Sequence, residues 1–207
     1  MFKADHLSYH RNGKQIVSDI NFNIEIGSCM FITGPNGSGK TTLLRLLAGF
    51  HPVQEGAISL NGKDVTNNYD FLAQSVDYVG HLNAVKKQMT AWENLKFWNQ
   101  LCERSNRVNL MEDFDDLMAI SCFKNQLIEF CSLGQIRRVA LSRLNTSNKK
   151  VWLLDEHTSS LDETSVKKLK SMIERHCCGG GMAIITSHHE LNIPAVNSQS
   201  LELKKQS

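Results

Sequence analysis

The sequence predicts an α/β fold with a mostly parallel sheet covered by helices on both faces. Three observations predict it. Val151-Trp152-Leu153-Leu154 and Met182-Ala183-Ile184-Ile185-Thr186 are continuous apolar runs, as expected of strands buried on both faces. Residues 163–176 between them place Val166, Leu169, Met172 and Ile173 on one helical face, with Asp162 as N-cap. Cys29-Met30-Phe31-Ile32-Thr33 is a third apolar run that passes through a glycine-rich turn into a helix over residues 41–48.

The remaining elements follow in chain order. Ile16, Ile20, Phe22, Ile24 and Ile26 stand at even spacing, which predicts a strand with one apolar face. Gly49 is placed to stop the helix of residues 41–48. Ala57-Ile58-Ser59-Leu60 leads into Asn61-Gly62, a strong hairpin signal. From about residue 82 to 145 the texture becomes helical. Trp92, Leu95, Phe97, Trp98 and Leu101 recur at helical spacings, and the acidic run of residues 112–116 reads as a solvated face of a second helix.

Composition narrows the function classes. With 41% hydrophobic and 21% charged residues, the 207-residue chain can bury a core and is neither disordered nor low-complexity. A net charge of +2, from 23 basic against 21 acidic residues, argues against nucleic acid or an anionic membrane surface as the main partner. No stretch without Asp, Glu, Lys or Arg exceeds 14 residues, against the ~20 that a spanning helix needs. The N-terminal MFKADHLSYH lacks an apolar signal core, so the expectation is a chain facing the cytosol. Six scattered cysteines form no C-x-x-C pair and are expected to be reduced, mostly packed thiols.

Two motifs carry chemistry. Gly34-Pro35-Asn36-Gly37-Ser38-Gly39-Lys40-Thr41 matches G-x-x-x-x-G-K-[ST] between a strand and a helix, with Thr42 next. Its glycines let backbone N–H groups converge on phosphate oxygens at a helix N-terminus. Lys40 is expected at the β- and γ-phosphates of a nucleoside triphosphate, and the Thr41 hydroxyl at Mg²⁺. Val151 to Leu154 then deliver Asp155 and Glu156 to a strand's C-terminal end, where ligands of open α/β sheets collect. Asp155 is expected to hold Mg²⁺ through a water, and Glu156 to take a proton from the water attacking the γ-phosphate.

Cys131-Ser132-Leu133-Gly134-Gln135, followed by a basic helix and lying 23 residues (Ser132 to Asp155) before the acidic pair, resembles the L-S-G-G-Q signature of ABC-type ATPases. Ser160-Leu161-Asp162 resembles that family's D-loop, and Thr186-Ser187-His188 its switch histidine. The resemblance covers essentially the whole chain. Within the family it is similar to the cytochrome c biogenesis ATP-binding export proteins, the CcmA type. That narrower likeness rests on Tyr78-Val79-Gly80-His81, Lys86, Thr90-Ala91-Trp92-Glu93-Asn94-Leu95-Lys96-Phe97, residues 135–144 and Gly180-Gly181-Met182.

The resemblance implies a single P-loop ABC cassette over 1–207. A RecA-like core and an antiparallel β subdomain would occupy about 1–81 and 146–207, and a helical subdomain about 82–145. It implies ATP and Mg²⁺, and catalytic roles for Lys40, Glu156 and His188. It further implies a homodimer in which one chain's Ser132-Leu133-Gly134-Gln135 meets ATP held by the other's phosphate loop, with Asp162 in the D-loop. His81 takes the place where most cassettes carry Gln, on a coupling surface near residues 86–101. The expected partners are a separate membrane-spanning permease of the haem-exporter type and haem-handling membrane proteins, at the cytoplasmic face of an inner membrane. The family's adenine-stacking position, 23 residues before Gly34, falls on Arg11, whose guanidinium could stack on a base. Cys131, Leu133 and His157 depart from the family pattern, which leaves slow hydrolysis or an ATP-binding module with little turnover open. A soluble ABC ATPase of iron–sulfur cluster assembly is the other alternative.

Overall fold

The computed structural model describes residues 1–101, 118–156, 160–187 and 193–205. The chain folds into two compact units, one of residues 1–80, 149–157 and 174–207, the other of 81–148 and 158–173.

The first unit contains two sheets. One is antiparallel in the order β2-β1-β4-β5, from β1 (Phe2–Arg11), β2 (Lys14–Ile24), β4 (Glu55–Leu60) and β5 (Lys63–Asp64). Asn61 and Gly62, both at positive φ, make the predicted turn between the last two. The other is parallel in the order β6-β7-β8-β3-β9, from β3 (Ser28–Thr33), β6 (Val76–Val79), β7 (Val151–Asp155), β8 (Met182–Thr186) and β9 (Asn197–Glu202). Every residue of β7 and β8 is buried, as their unbroken apolar runs require. Helix α1 (Lys40–Leu47) packs against β7, β8 and β2. Leu43, Leu44, Leu46 and Leu47 join Met30, Ile32, Leu153 and Ile184 from the parallel sheet and Phe2, Leu7, Ile24 and Ile58 from the antiparallel one in a single core. Helix α2 (Tyr69–Ser75) precedes β6 and starts on Asn68, whose side chain accepts from the Phe71 N–H.

The even apolar spacing from Ile16 to Ile26 does not become one uninterrupted strand face. Three register shifts break the β1–β2 pairing. Between Ala4↔Phe22 and Leu7↔Ile20 the extra residue is in β1; between Leu7↔Ile20 and Tyr9↔Val17 it is in β2; between Tyr9↔Val17 and His10↔Gln15 it is Ile16. The inserted residues reverse side-chain alternation, so Val17 is buried where Ile16 was expected. Ile26 lies beyond the end of β2 and is 56% exposed. His6 and Asp19, the non-glycine residues at positive φ in the first two bulges, are tied by a 2.6 Å bond from His6 Nδ1 to Asp19 Oδ1.

The described part of the second unit is helical, with α3 (Ala91–Leu101), α4 (Leu133–Ser142), the first turns of α5 (Glu163–Cys178) and short 3-10 turns at Ser121–Phe123, Ile128–Phe130 and Arg143–Thr146. Thr90 and Glu93 cap α3 reciprocally: Glu93 Oε2 accepts from the Thr90 N–H at 2.8 Å, and Thr90 Oγ1 from the Glu93 N–H at 3.1 Å. The Thr90 N–H, and then the Thr90 hydroxyl that also donates to Oε2 at 3.0 Å, hold the exposed Glu93 carboxyl below its usual range. The buried Asn94 amide clamps the preceding loop, accepting from the Lys86 N–H and donating to the Lys86 and Thr90 carbonyls. Lys86 lies over the Phe97 ring and Arg143 over Trp98. The acidic run of residues 112–116 lies outside the described residues.

Candidate active site

The turn from β3 into α1 forms an open cavity of about 180 Å³ lined by Ile16, Asn36, Gly37, Gly39, Lys40, Thr41, Thr42 and Glu156. The backbone reverses tightly enough to require glycine at its last corner. Gly39 has φ 96°, and a Cβ there would sit 2.5 Å from the Ile16 carbonyl oxygen. Ile16, the extra residue of the third bulge in the β1–β2 ladder, thus lies against the glycine-rich turn. Ser38 Oγ is buried with no hydrogen-bond partner among the described residues. That orphan hydroxyl, beside backbone N–H groups at a helix start, fits a phosphate oxygen.

Lys40 is 6% exposed, and its ammonium donates to the carbonyls of Gly34 (2.7 Å) and Pro35 (3.1 Å). These oxygens position the cation without neutralising it, so its charge stays available to a polyanion.

Asp155 ends β7 at 1% exposure, surrounded by hydroxyls. Its Oδ1 accepts from Thr41 Oγ1 (3.2 Å) and Thr186 Oγ1 (2.8 Å), and its Oδ2 from the Tyr78 hydroxyl (3.2 Å). A Thr hydroxyl beside a carboxylate oxygen is a donor set suited to a hard divalent cation. The next residue, Glu156, has φ 45° and gives its N–H to Thr186 Oγ1 at 2.9 Å. One threonine thus ties both carboxylate residues to β8, where Asp155 and Thr186 pair in register. Burial, and then the Asp155 charge, push the Tyr78 phenol above its ordinary value against the opposing effect of Arg45.

The predicted residues thus fall into groups. Gly34 to Thr42, Asp155 and Glu156 converge in the first unit. Arg11, in the same unit, ends β1 at the Asn12-Gly13 turn and is exposed. The residue that this strand pair contributes to the cavity is Ile16. His51 stacks on Tyr9 with centroids 5.4 Å apart; burial, followed by the charges of Arg45 and Arg11, holds it below its ordinary value.

Ser132, Leu133, Gly134 and Gln135 open α4 in the helical unit. Ser132 Oγ accepts from the Gln135 N–H at 3.2 Å, and Gln135 Oε1 from the Ser132 N–H at 2.8 Å, a complete capping box. Leu133 is 71% exposed. Asp162 caps α5 through a 2.7 Å bond from the Ser165 N–H, which lowers its carboxyl below the ordinary range. His81 is exposed in the helical unit. His188 and His157 lie outside the described residues. Tyr78 and Thr186 are the contacts of Asp155 that the sequence does not single out; each stands there only as a neighbour of a family histidine.

Residues 17–159 match the ABC transporter family. The chain belongs to that family. The cassette is 37% identical over 198 residues to the cytochrome c biogenesis ATP-binding export protein CcmA of Albidiferax ferrireducens, covering 96% of this chain and 94% of that protein. It superposes on a putative ABC transporter ATP-binding protein from Pyrococcus furiosus with TM-score 0.81 and 27% identity, over 98% and 96% of the two chains. A bacterial ABC transporter cassette solved as a dimer matches with TM-score 0.82 at 22% identity, over 99% and 95%. The expected P-loop ABC fold is therefore the observed one, and the cassette is an ATP-hydrolysing enzyme of the CcmA branch. No helix among its described residues is long and apolar enough to cross a membrane.

Proposed function

We propose that this cassette is the ATP-hydrolysing subunit of a transporter complex in c-type cytochrome biogenesis. It would work as a head-to-tail homodimer bound to a separate permease of the haem-exporter type and its haem-handling membrane partners, at the cytoplasmic face of an inner membrane. The observation that carries the reading is one cavity lined by the buried Lys40, Thr41 and Glu156, with the orphan Ser38 hydroxyl in the same loop and Asp155 bonded to Thr41.

Lys40 would leave its carbonyls to hold the terminal phosphates of ATP, with the loop N–H groups and Ser38 Oγ taking the remaining oxygens. Thr41 and Asp155 would hold Mg²⁺, which when bound neutralises charge on the phosphates. Glu156 would orient the attacking water and take its proton, fixed at its backbone by Thr186. Ser132 to Gln135 of the second chain would complete the site, and His188 would contact the γ-phosphate. His81 and the region of residues 86–101 would transmit closure to the permease.

The test pairs two variants with one capture. Glu156→Gln is expected to retain ATP in a stable dimer and Lys40→Ala to lose nucleotide, measured by size exclusion with radiolabelled ATP. Affinity capture from detergent-solubilised membranes is expected to bring down a multi-spanning permease with haem-handling subunits. A cytosolic partner set would overturn the transport reading, and unchanged turnover in Glu156→Gln would remove Glu156 as the base.

A further inference from the structure

Two helix starts meet backbone to backbone in the helical unit. The carbonyl oxygen of Ser160 occupies the space where a side chain at residue 134 would begin, and a Cβ there would lie 2.7 Å from it. A carbon cannot rest that close to a backbone oxygen, so any residue other than glycine must push the two segments apart. The collision arises inside one chain, with no second chain needed to produce it.

Each side of this contact is held in place. Gly134 is the second residue of α4, whose first turn is closed by the reciprocal bonds of Ser132 and Gln135. Ser160 stands at φ 71°, a left-handed conformation that is costly for serine and free for glycine. Two residues later Asp162 caps α5, its side chain accepting from the Ser165 N–H at 2.7 Å and its carbonyl from the Val166 N–H at 2.9 Å. The Ser160 carbonyl is therefore anchored to the start of α5, and backbone strain of this kind persists only where its surroundings fix it. Ser160 is exposed and Gly134 half-buried, so the contact lies at the surface beside the residues that a second chain's nucleotide is to reach.

We propose that Ser160 is a positioning residue for ATP hydrolysis: its backbone carbonyl fixes the first turn of α4, so that residues 132–135 present a set geometry to the second chain's nucleotide. Residue 134 must be glycine because of this contact within one chain. The inference rests on the reading of the protein as a head-to-tail dimer.

The test is a double-variant cycle on the full chain, with kcat and KM for ATP measured beside the melting midpoint. Gly134→Ala is expected to lower kcat on the order of 100-fold, the cost of a misplacement of about 1 Å, with KM near wild type. Glycine at 160 lets the carbonyl turn aside, so adding Ser160→Gly should restore kcat by about 10-fold, a coupling usual for residues in contact. Adding Ser160→Ala instead keeps the backbone constraint and should restore nothing. Ser160→Gly alone should lower kcat about 3-fold at an unchanged melting midpoint. Equal kcat in Gly134→Ala and its Ser160→Gly double would overturn the inference, since the glycine would then serve the second chain's nucleotide alone. Equal recovery with Ser160→Ala would also overturn it, by assigning the effect to the hydroxyl. If Gly134→Ala does not fold, an unchanged kcat in Ser160→Gly overturns it. A melting midpoint that falls in step with kcat would reduce the contact to packing. Failure of Glu156→Gln to trap an ATP-bound dimer would overturn the dimer reading beneath it, a result separate from the cycle.

Discussion

Trp152 and His176 lie face to face, ring centroids 3.8 Å apart and planes within 7° of parallel. Trp152 is inside β7, while the imidazole comes from the last turn of α5 and bonds the Met182 carbonyl at 3.3 Å. Burial holds His176 below its ordinary value, against the raising effect of that carbonyl, the Lys150 backbone and Asp77. The unfolded chain therefore takes up the proton first. The neutral histidine's contribution is complete above its unfolded value, about 6.5, and is lost as pH falls through the lower folded value. We expect the wild-type melting midpoint to drop between pH 7 and 5 more than that of His176→Phe, which keeps a stacked ring and removes the titration. Parallel curves for the two proteins in a pH series of thermal melts would refute this.

Gly39 and Gly37 separate backbone strain from collision. Both have positive φ, but a Cβ on Gly37 meets nothing within 4 Å, whereas one on Gly39 meets the Ile16 carbonyl at 2.5 Å. Gly37→Ala should cost about 1–2 kcal/mol of unfolding free energy from the left-handed backbone alone. Gly39→Ala should cost more than about 3 kcal/mol, because β2 or the loop must also move. Urea titrations of the two variants measure the difference, and equal values would mean that the contact with Ile16 is relieved without loss.

Ser132 serves both as helix cap and as proposed contact to the partner's nucleotide, and two substitutions divide these roles. Ser132→Ala removes the cap and should lower stability by about 1 kcal/mol. Ser132→Asp keeps an acceptor at the N-cap and should preserve stability, while setting a negative charge where a phosphate is to bind. Turnover should therefore fall further in the aspartate variant than in the alanine one. Phosphate release alongside denaturant melts gives both numbers.

Leu133 projects its branched side chain into solvent beside that cap. If ATP from a second chain must approach here, Leu133→Gly should raise the rate of phosphate release in the dimer. A fall instead would mean that the leucine packs usefully in the closed state.

Local sequence was sufficient to place the glycine-rich turn between β3 and α1, Asp155 at the end of β7 and the hairpin at Asn61-Gly62, because each is dictated by a few neighbouring residues. The convergence of Tyr78 and Thr186 on Asp155 is of another kind. It depends on β6 and β8 flanking β7 in register, with Tyr78 opposite Leu153 and Thr186 opposite Asp155. A parallel sheet's strand order is set by packing over long chain separations, and one apolar run cannot declare its neighbours. The β1–β2 bulges escaped for a related reason. The regular spacing from Ile20 to Ile24 continues in the sequence to Ile16, but the extra residues are visible only once the partner strand is known.

Those bulges also constrain how the gene can change length. One residue is added to β1 between Ala4 and Leu7 and another to β2 between Val17 and Ile20, and the two cancel, so Phe2↔Ile24 and Tyr9↔Val17 keep a common register. Loss of either codon alone would turn the rest of the hairpin inside out, exchanging core and solvent side chains up to the turn. Loss of both would leave every other pairing intact. At these two positions, therefore, the ladder tolerates the loss of a residue from one strand only with the matching loss from the other.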